Sequence, residues 1–420
     1  MAIDFTRLLP QSAVIDRSAG SLDGRMDWKQ VPAKAAVYLL SGCEEAGASA
    51  EEVPLVLATV GDLRAALKRR LDDAEQAGEP PTETAVEAAS PQLTRRIPYH
   101  RLCTRVQFRI VHSPFAANLH YLQAVRLLHP STYRELLSFG SAWWATVNPG
   151  DAFPRLRPTQ AIADPRALYA GPIRDRSAAA RLIDSTEDLF DLCREYPTLQ
   201  LAPHGRACAY KEMGKCPAPC DGSVEMSWYH SQMATAWDFV TDRAARAAWE
   251  RSQEGQMRDA AARLEFERAA RIKNRIARGG FLDGKTGDAY ASLAPLGDFS
   301  WLALQPGRGK RLVEPFLIHG GVVTALAEIG KKEIAGAAPR LLEEVQRGSA
   351  RPILPPLEEE AIDHVALLAH HLFRNDPGTY VRVREVVSGG VSRVEALLEG
   401  FFAARAKGLA AAGTVEAVSP

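Results

Sequence analysis

Cysteine is scarce in this chain, with six in 420 residues. That excludes a fold held by many disulfides, so the cysteines present must be explained by where they fall. Long apolar runs are missing too. Nothing approaches the roughly 18 residues that a membrane helix needs. The opening MAIDFTRLLPQSAV has no basic segment followed by a long apolar run, so no secretory leader is expected. The expected compartment is the cytoplasm, with no membrane partner, where stable disulfides are rare. Net charge is zero, 51 Lys and Arg against 51 Asp and Glu. No overall field draws the chain to nucleic acid, so any such contact must come from a local patch. One stretch lacks acid altogether: Ala88 through Arg134 contains neither Asp nor Glu. A hard divalent ion held by carboxylates is excluded there. Against these absences stand 46% hydrophobic and 24% charged residues, enough for two or three domains with real cores.

The expected class is α/β (α+β). AAVYLLSG at 35–42 and VPLVLATV at 53–60 predict two strands joined by a polar loop. Residues 62–76 predict a helix with Asp62 as N-cap, and GEPPTETAVEAASPQ after it reads as a mobile, acidic insert. Alternation predicts a strand over 105–113, and 115–130 a helix stopped before Pro130. The order β-β-α-β-α is that of a small α/β domain. A further amphipathic helix is expected over 178–192. Residues 225–278 read as helical and highly charged, with a phase break at Leu264–Phe266 that predicts two helices meeting at a turn. Residues 298–329 predict a three-strand meander with turns at Pro306–Gly309 and Gly320–Gly321. Helices around 339–347 and 357–374 follow, and LAAAGTVEAVSP is expected to be disordered.

Three of the cysteines fall in CAYKEMGKCPAPC, residues 208–220. Cys208, Cys216 and Cys220 are spaced C-x7-C-x3-C, and Cys193 lies a short loop upstream. Pro217 and Pro219 keep the loop non-helical, so that it can turn thiolates toward one centre. Four thiolates suit zinc or an iron–sulfur cluster, and the spacing alone does not choose. The plain alternative is a set of free, partly buried cysteines. GGFLDGKT at 279–286 fits the phosphate-loop string. It is preceded by a helix and followed by none, so its glycines read as the end of a helix. His364, His370 and His371 share one predicted helix without a ligand cluster and read as surface or core histidines.

YAGPIRDRSAAARLIDSTEDLFDLC, RACAYKEMGKCPAPCDG and MRDAAARLEFERAARIKNRI, taken in this order, resemble UvrC, the nuclease subunit of bacterial nucleotide excision repair. The first two resemble the family segments that carry four cysteines. The third resembles the UVR motif, the helical hairpin through which UvrC meets UvrB. The β-β-α-β-α start resembles a GIY-YIG nuclease domain, and HGGVV resembles the strands opening the family's C-terminal half. The likeness covers roughly residues 33–375 and is strongest over 169–278. It implies a degenerate GIY-YIG-like domain at 33–150 with an insert at 75–92, a Cys-rich segment at 151–224 and a UVR-bearing helical region at 225–278. A meander with helices at 297–400 and a tail at 401–420 complete the division. It implies a [4Fe–4S] cluster, with zinc as alternative, on Cys193, Cys208, Cys216 and Cys220. It implies UvrB and DNA as partners, with Leu264, Phe266, Glu267, Ala269, Ala270 and Ile276 as the partner surface.

The departures from the family bear on catalysis. GIY-YIG chemistry uses one divalent metal held by a glutamate, tyrosines at the attacking water and an arginine at the phosphate. Tyr38 matches the first tyrosine and Arg64 a family arginine. The second tyrosine motif reads VLATVGDLR, Ala66 stands where the catalytic arginine is expected, and Tyr121 where the metal glutamate is expected. No RNase H-like core or helix-hairpin-helix repeats match within the chain. The resemblance therefore points to a nuclease-deficient accessory or scaffold. One alternative is an active GIY-YIG endonuclease with a rebuilt site of Tyr38, Arg64 and Glu83 or Glu87, using magnesium or manganese. Another is a DNA-binding protein whose iron–sulfur centre senses redox state. Arg95, Arg96, Arg101, Arg105 and Arg109 in the acid-free stretch are the candidate DNA contacts, or else a solvated basic face.

Overall fold

The computed structural model describes residues 4–16, 25–42, 52–71, 99–283, 288–290, 292–374, 378–406 and 414–415. The expected insert at 75–92 lies outside them. The fold is mixed α/β with antiparallel sheets, and the segments gather into two compact units. One comprises residues 1–140, 305–314 and 328–331, the other 141–304, 315–327 and 332–420.

In the first unit, β1 (Gln11–Val14), β2 (Ala36–Gly42), β3 (Val53–Val60) and β4 (Cys103–Ile110) form a sheet in the order β1-β4-β2-β3. Central β2 is buried at every residue, which explains its unbroken apolar run in place of alternation. Helix α1 (Leu63–Leu71) covers one face, setting Leu63, Leu67 and Leu71 into a core with Tyr38, Leu40 and Phe108. Asp62 caps it by accepting from the Ala65 N–H at 2.9 Å. A short helix, α2 (Tyr99–Leu102), leads into β4. Helix α3 (Pro114–Leu128) packs on β2 and β3. Ser113 caps it by accepting from the Ala116 N–H at 3.1 Å, with proline at its first position. Strand β1 extends this sheet beyond the expected start at residue 33, because Arg109 of β4 holds the carbonyls just before it.

In the second unit, β5 (Trp143–Val147), β6 (Arg157–Thr159), β7 (Leu168–Ile173) and β8 (Ala294–Pro295) form a sheet ordered β6-β5-β7-β8. Gly171 is required there, since a Cβ would lie 2.6 Å from the Trp144 ring. Helix α4 (Arg176–Leu189), capped by Asp175, buries Ala178, Leu182 and Ile183 against this sheet. Two short turns, α5 (Tyr196–Leu199) and α6 (Ala209–Glu212), lie in the cysteine segment. Three helices follow: α7 (Met226–Thr241), α8 (Arg243–Ala262) and α9 (Phe266–Gly279). The expected break between α8 and α9 is present. Leu264 takes a left-handed φ of 60°, and the Leu264 and Glu265 N–H groups close the turn onto Ala261 and Ala260 carbonyls. The phosphate-loop string begins at the end of α9, as expected of helix-ending glycines, and residues 284–286 of it lie outside the described ones.

The third sheet joins β9 (Ser300–Pro306), β10 (Leu312–His319), β11 (Val322–Ala325), β12 (Ile329–Gly330), β13 (Thr379–Arg382) and β14 (Thr414–Val415). Helices α10 (Ile334–Gly348) and α11 (Glu359–Leu372) are longer and shorter, respectively, than expected. Helix α12 (Val383–Ala406) breaks at Gly390, whose φ of 62° suits glycine. Two expectations need correction here. The tail assigned to 401–420 begins inside α12, because Val394, Leu397, Leu398, Phe401 and Phe402 keep one buried helical face. Within LAAAGTVEAVSP, Thr414 and Val415 pair in parallel with Thr379 and Tyr380, and the rest lies outside the described residues. No described helix is long and apolar enough to cross a membrane.

Candidate functional site

The cysteine segment starts where α4 ends. Phe190 plugs the core, Asp191 reverses the chain at a left-handed φ of 54°, and Cys193 is delivered inward. Cys216 and Cys220 are buried, and Cys208 is half-buried at the start of α6. Ala218 sits between the last pair at a φ of 60°, which turns its N–H toward the Cys216 sulfur at 3.4 Å. The Cys220 thiol points to the Arg206 carbonyl at 3.9 Å, and the Gly205 N–H donates to the Cys220 carbonyl at 2.8 Å.

The Cys193 thiol donates to the Glu195 carbonyl at 3.5 Å. Interaction with Cys193 lowers the Cys216 thiol, with the Ala218 N–H assisting and burial opposing. Cys193 is pushed up by Cys216 and by burial. Cys220 is pushed up by burial and by the charges of Asp221, Cys216 and Cys208. Among the described residues, no three His, Cys, Asp or Glu side chains stand grouped as ligands of a metal ion. Cys193, Cys208, Cys216 and Cys220 stand as free thiols, with Cys216 acting on both Cys193 and Cys220. Cys103 lies apart, in the first unit, and burial pushes it up to about 12. Cys43 lies outside the described residues.

Helix α4 also holds a buried carboxyl that sequence reasoning missed. Glu187 faces inward from α4, and burial together with Asp184 pushes it up to about 7. The folded state therefore favours the protonated acid. Its contribution is complete below the ordinary value of 4.5 and is lost as pH rises through about 7. At about 1.4 kcal/mol per pH unit, this interval is worth about 3 kcal/mol. Urea titrations at pH 5 to 8 under reducing conditions are expected to show wild-type stability falling more steeply than that of Glu187→Gln. Parallel slopes would remove Glu187 as the cause.

The partner surface expected on the hairpin is exposed. Leu264 is 72% exposed and Phe266 65%, at the tip between α8 and α9. Glu267 and Ala270 are exposed beside them, while Ala269 and Ile276 are half-buried. Arg258, Arg263, Arg271 and Lys273 are exposed on the same hairpin, and Arg268 pairs with Glu265 at 2.9 Å. A left-handed, exposed leucine costs about 1–2 kcal/mol in backbone strain.

The expected catalytic remnants fare differently. Tyr38 is fully buried, pairing with Ala58 and Phe108 across the sheet. Its role as a site residue is corrected to core packing, since a hydroxyl without solvent access cannot meet a phosphodiester. Arg64 is corrected likewise: its Nε donates to the Val31 carbonyl at 2.8 Å, holding the chain before β2. Ala66 is buried in α1. Tyr121 on α3 donates its hydroxyl to the Leu136 carbonyl at 3.4 Å and supplies no carboxylate. Of the basic residues, Arg109 is withdrawn from the DNA-contact set, because its guanidinium donates to the Leu8 and Arg7 carbonyls at 2.5 and 2.8 Å. Arg105 pairs with Glu52 at 3.0 Å, and Arg101 is exposed. Arg95 and Arg96, like Glu83 and Glu87, lie outside the described residues. On α11, His364 bonds the Gly321 carbonyl at 2.9 Å and His371 is buried, so these two are core histidines, while half-buried His370 meets Arg374 at 3.2 Å.

Comparison with known proteins fits this layout. Residues 142–239, which contain the four cysteines, match the family described as UvrC/Cho excinuclease, middle domain, and residues 252–278, the hairpin, match the UvrB/uvrC motif. Over these segments the chain is similar to UvrC. Its relatives include the UvrABC system protein C of Novosphingobium aromaticivorans, 28% identical over 57% of this chain and 35% of that protein. The UvrABC system protein C of Moorella thermoacetica is 32% identical over 30% of this chain and 20% of the relative. That of Thermus thermophilus is 27% identical over 44% of this chain and 31% of the relative. The likeness to UvrC thus spans about a fifth to a third of these relatives' own length. No solved structure matches.

Proposed function

We propose that the chain is a nucleotide excision repair accessory that binds UvrB through the α8–α9 hairpin and does not itself cut DNA. The observation that carries this reading is the exposed Leu264–Phe266 tip on the hairpin that matches the UvrB/uvrC motif. An exposed apolar tip on a charged hairpin calls for a partner with an apolar cleft, in the manner of a helix laid into a groove. DNA backbone contact falls to Arg101 and Arg105 on the first unit, and is secondary to the protein partner. The work would be done in the cytoplasm.

The cysteine quartet supports a structural metal centre, [4Fe–4S] in preference to zinc. Cys193, Cys208, Cys216 and Cys220 would hold it. Such a centre would supply rigidity to a loop-rich segment, since metal binding there is folding energy. The chain's own part is to bury three sulfurs and aim the Ala218 N–H at Cys216.

Titration of UvrB with the chain by calorimetry tests the reading. Phe266→Ala is expected to weaken binding by about 1–3 kcal/mol, the range of an aromatic anchor. Its melting temperature should stay at the wild-type value, because the ring is exposed. Equal affinities for the two would refute the assignment of the tip.

A further inference from the structure

Three elements of the second unit meet at the last turn of α4. Asp188 accepts a hydrogen bond from Arg278 of α9 at 2.5 Å on one carboxylate oxygen, and from Arg194 at 2.7 Å on the other. Arg194 directly follows Cys193, and its guanidinium lies 5.0 Å from the centre of the Tyr210 ring, between Cys208 and Cys216 in sequence. One turn earlier on α9, Arg275 donates twice to the Leu189 carbonyl, at 3.0 and 2.8 Å, and faces Asp191 at 3.5 Å. Phe190 and Phe239 pack on Trp249 of α8, with ring centres 5.9 and 5.0 Å away. The second helix of the hairpin is therefore tied to the end of α4, and one carboxylate there is shared with the residue that follows the first cysteine.

We infer that Asp188 is a joint coupling the cysteine segment to the α8–α9 hairpin. A change at the cysteines, such as metal gained or lost, then alters how firmly α9 is docked. A carboxylate whose two oxygens are each engaged by a different guanidinium cannot follow one without loosening the other. The coupling is reciprocal by linkage: whatever displaces α9 must also change the cysteine segment. This is a property of the chain alone, and only its use in recruiting a partner rests on the reading above.

The test uses the full chain as purified, with two readouts on Asp188→Asn and Arg278→Ala. The first is hydrogen exchange over residues 266–279. The second is the rate at which N-ethylmaleimide alkylates Cys216, mapped by mass spectrometry. Arg278 is half-exposed and touches no cysteine, so its removal should not unfold the chain. Both variants are expected to speed exchange in α9 about tenfold, the effect of losing one charged hydrogen bond. Both should also speed alkylation of Cys216, while Asp184→Asn, an exposed carboxylate one turn back on α4, changes neither. If Arg278→Ala loosens α9 and leaves Cys216 alkylation at the wild-type rate, the joint does not exist. Wild-type exchange of α9 in Asp188→Asn would overturn it as well.

Discussion

Given magnesium or manganese, the purified chain is expected to leave nicked, damaged and branched DNA uncut, and Tyr38→Phe is expected to change nothing. The argument runs through the charge that such chemistry needs. A one-metal nuclease offsets the developing negative charge on phosphorus with its cation, an effect worth several kcal/mol. At about 1.4 kcal/mol per tenfold, losing it costs orders of magnitude in rate. The position where the metal glutamate is expected holds Tyr121, whose hydroxyl donates to the Leu136 carbonyl. The arginine position holds buried Ala66, Arg64 is turned onto the Val31 carbonyl, and the one matching tyrosine is sealed in the core. Metal-dependent cleavage that disappears in Tyr38→Phe would refute this and make the domain a working nuclease.

Cys216→Ser is expected to remove the metal from protein purified without oxygen and to lower its thermal stability by a large margin. Binding of a structural metal to thiolates is worth about 10–16 kcal/mol in small zinc domains, and it doubles as folding energy. The loop from Cys193 to Cys220 has only the one-turn helices α5 and α6 and a single 3-10 turn to hold it, so little else can replace that energy. Cys216 is the position to change, because it is buried and its sulfur receives the Ala218 N–H. Cys103→Ser should keep the metal: that thiol is buried among apolar side chains of the other unit. The measurement is iron, sulfide and zinc per chain, beside the melting temperature. Wild-type protein holding none of them in stoichiometric amount would contradict the assignment of the quartet.

Much of the fold was legible because period and capping agreed. Asp62 caps the helix that its position predicts, and AVYLLSG behaves as a strand covered on both faces. The hairpin break was readable from the phase shift at Leu264–Phe266, which the left-handed Leu264 accomplishes. Strand β1 was not readable: four residues with one buried side chain carry too little pattern, and pairing with β4 alone defines them. The roles of Arg64 and Arg109 were invisible for a related reason. Their acceptors are carbonyls 33 and 101 residues away, and a carbonyl has no sequence signature. The same holds for Asp188 and Arg278, joined across 90 residues. The cysteines were legible as a set from their spacing, but not the interaction of Cys193 with Cys216, which depends on the turns at Asp191 and Ala218.

The central claim, that this UvrC-like chain recruits a partner without cutting, is tested most directly by one gel. Damaged duplex, manganese and UvrB are combined with wild-type chain or Phe266→Ala, and both complex formation and strand integrity are read. The account predicts that wild-type chain joins the UvrB–DNA complex, that Phe266→Ala joins it about tenfold or more less tightly, and that every strand stays whole. Cut strands with chain and metal alone, or equal recruitment of the two proteins, would contradict it.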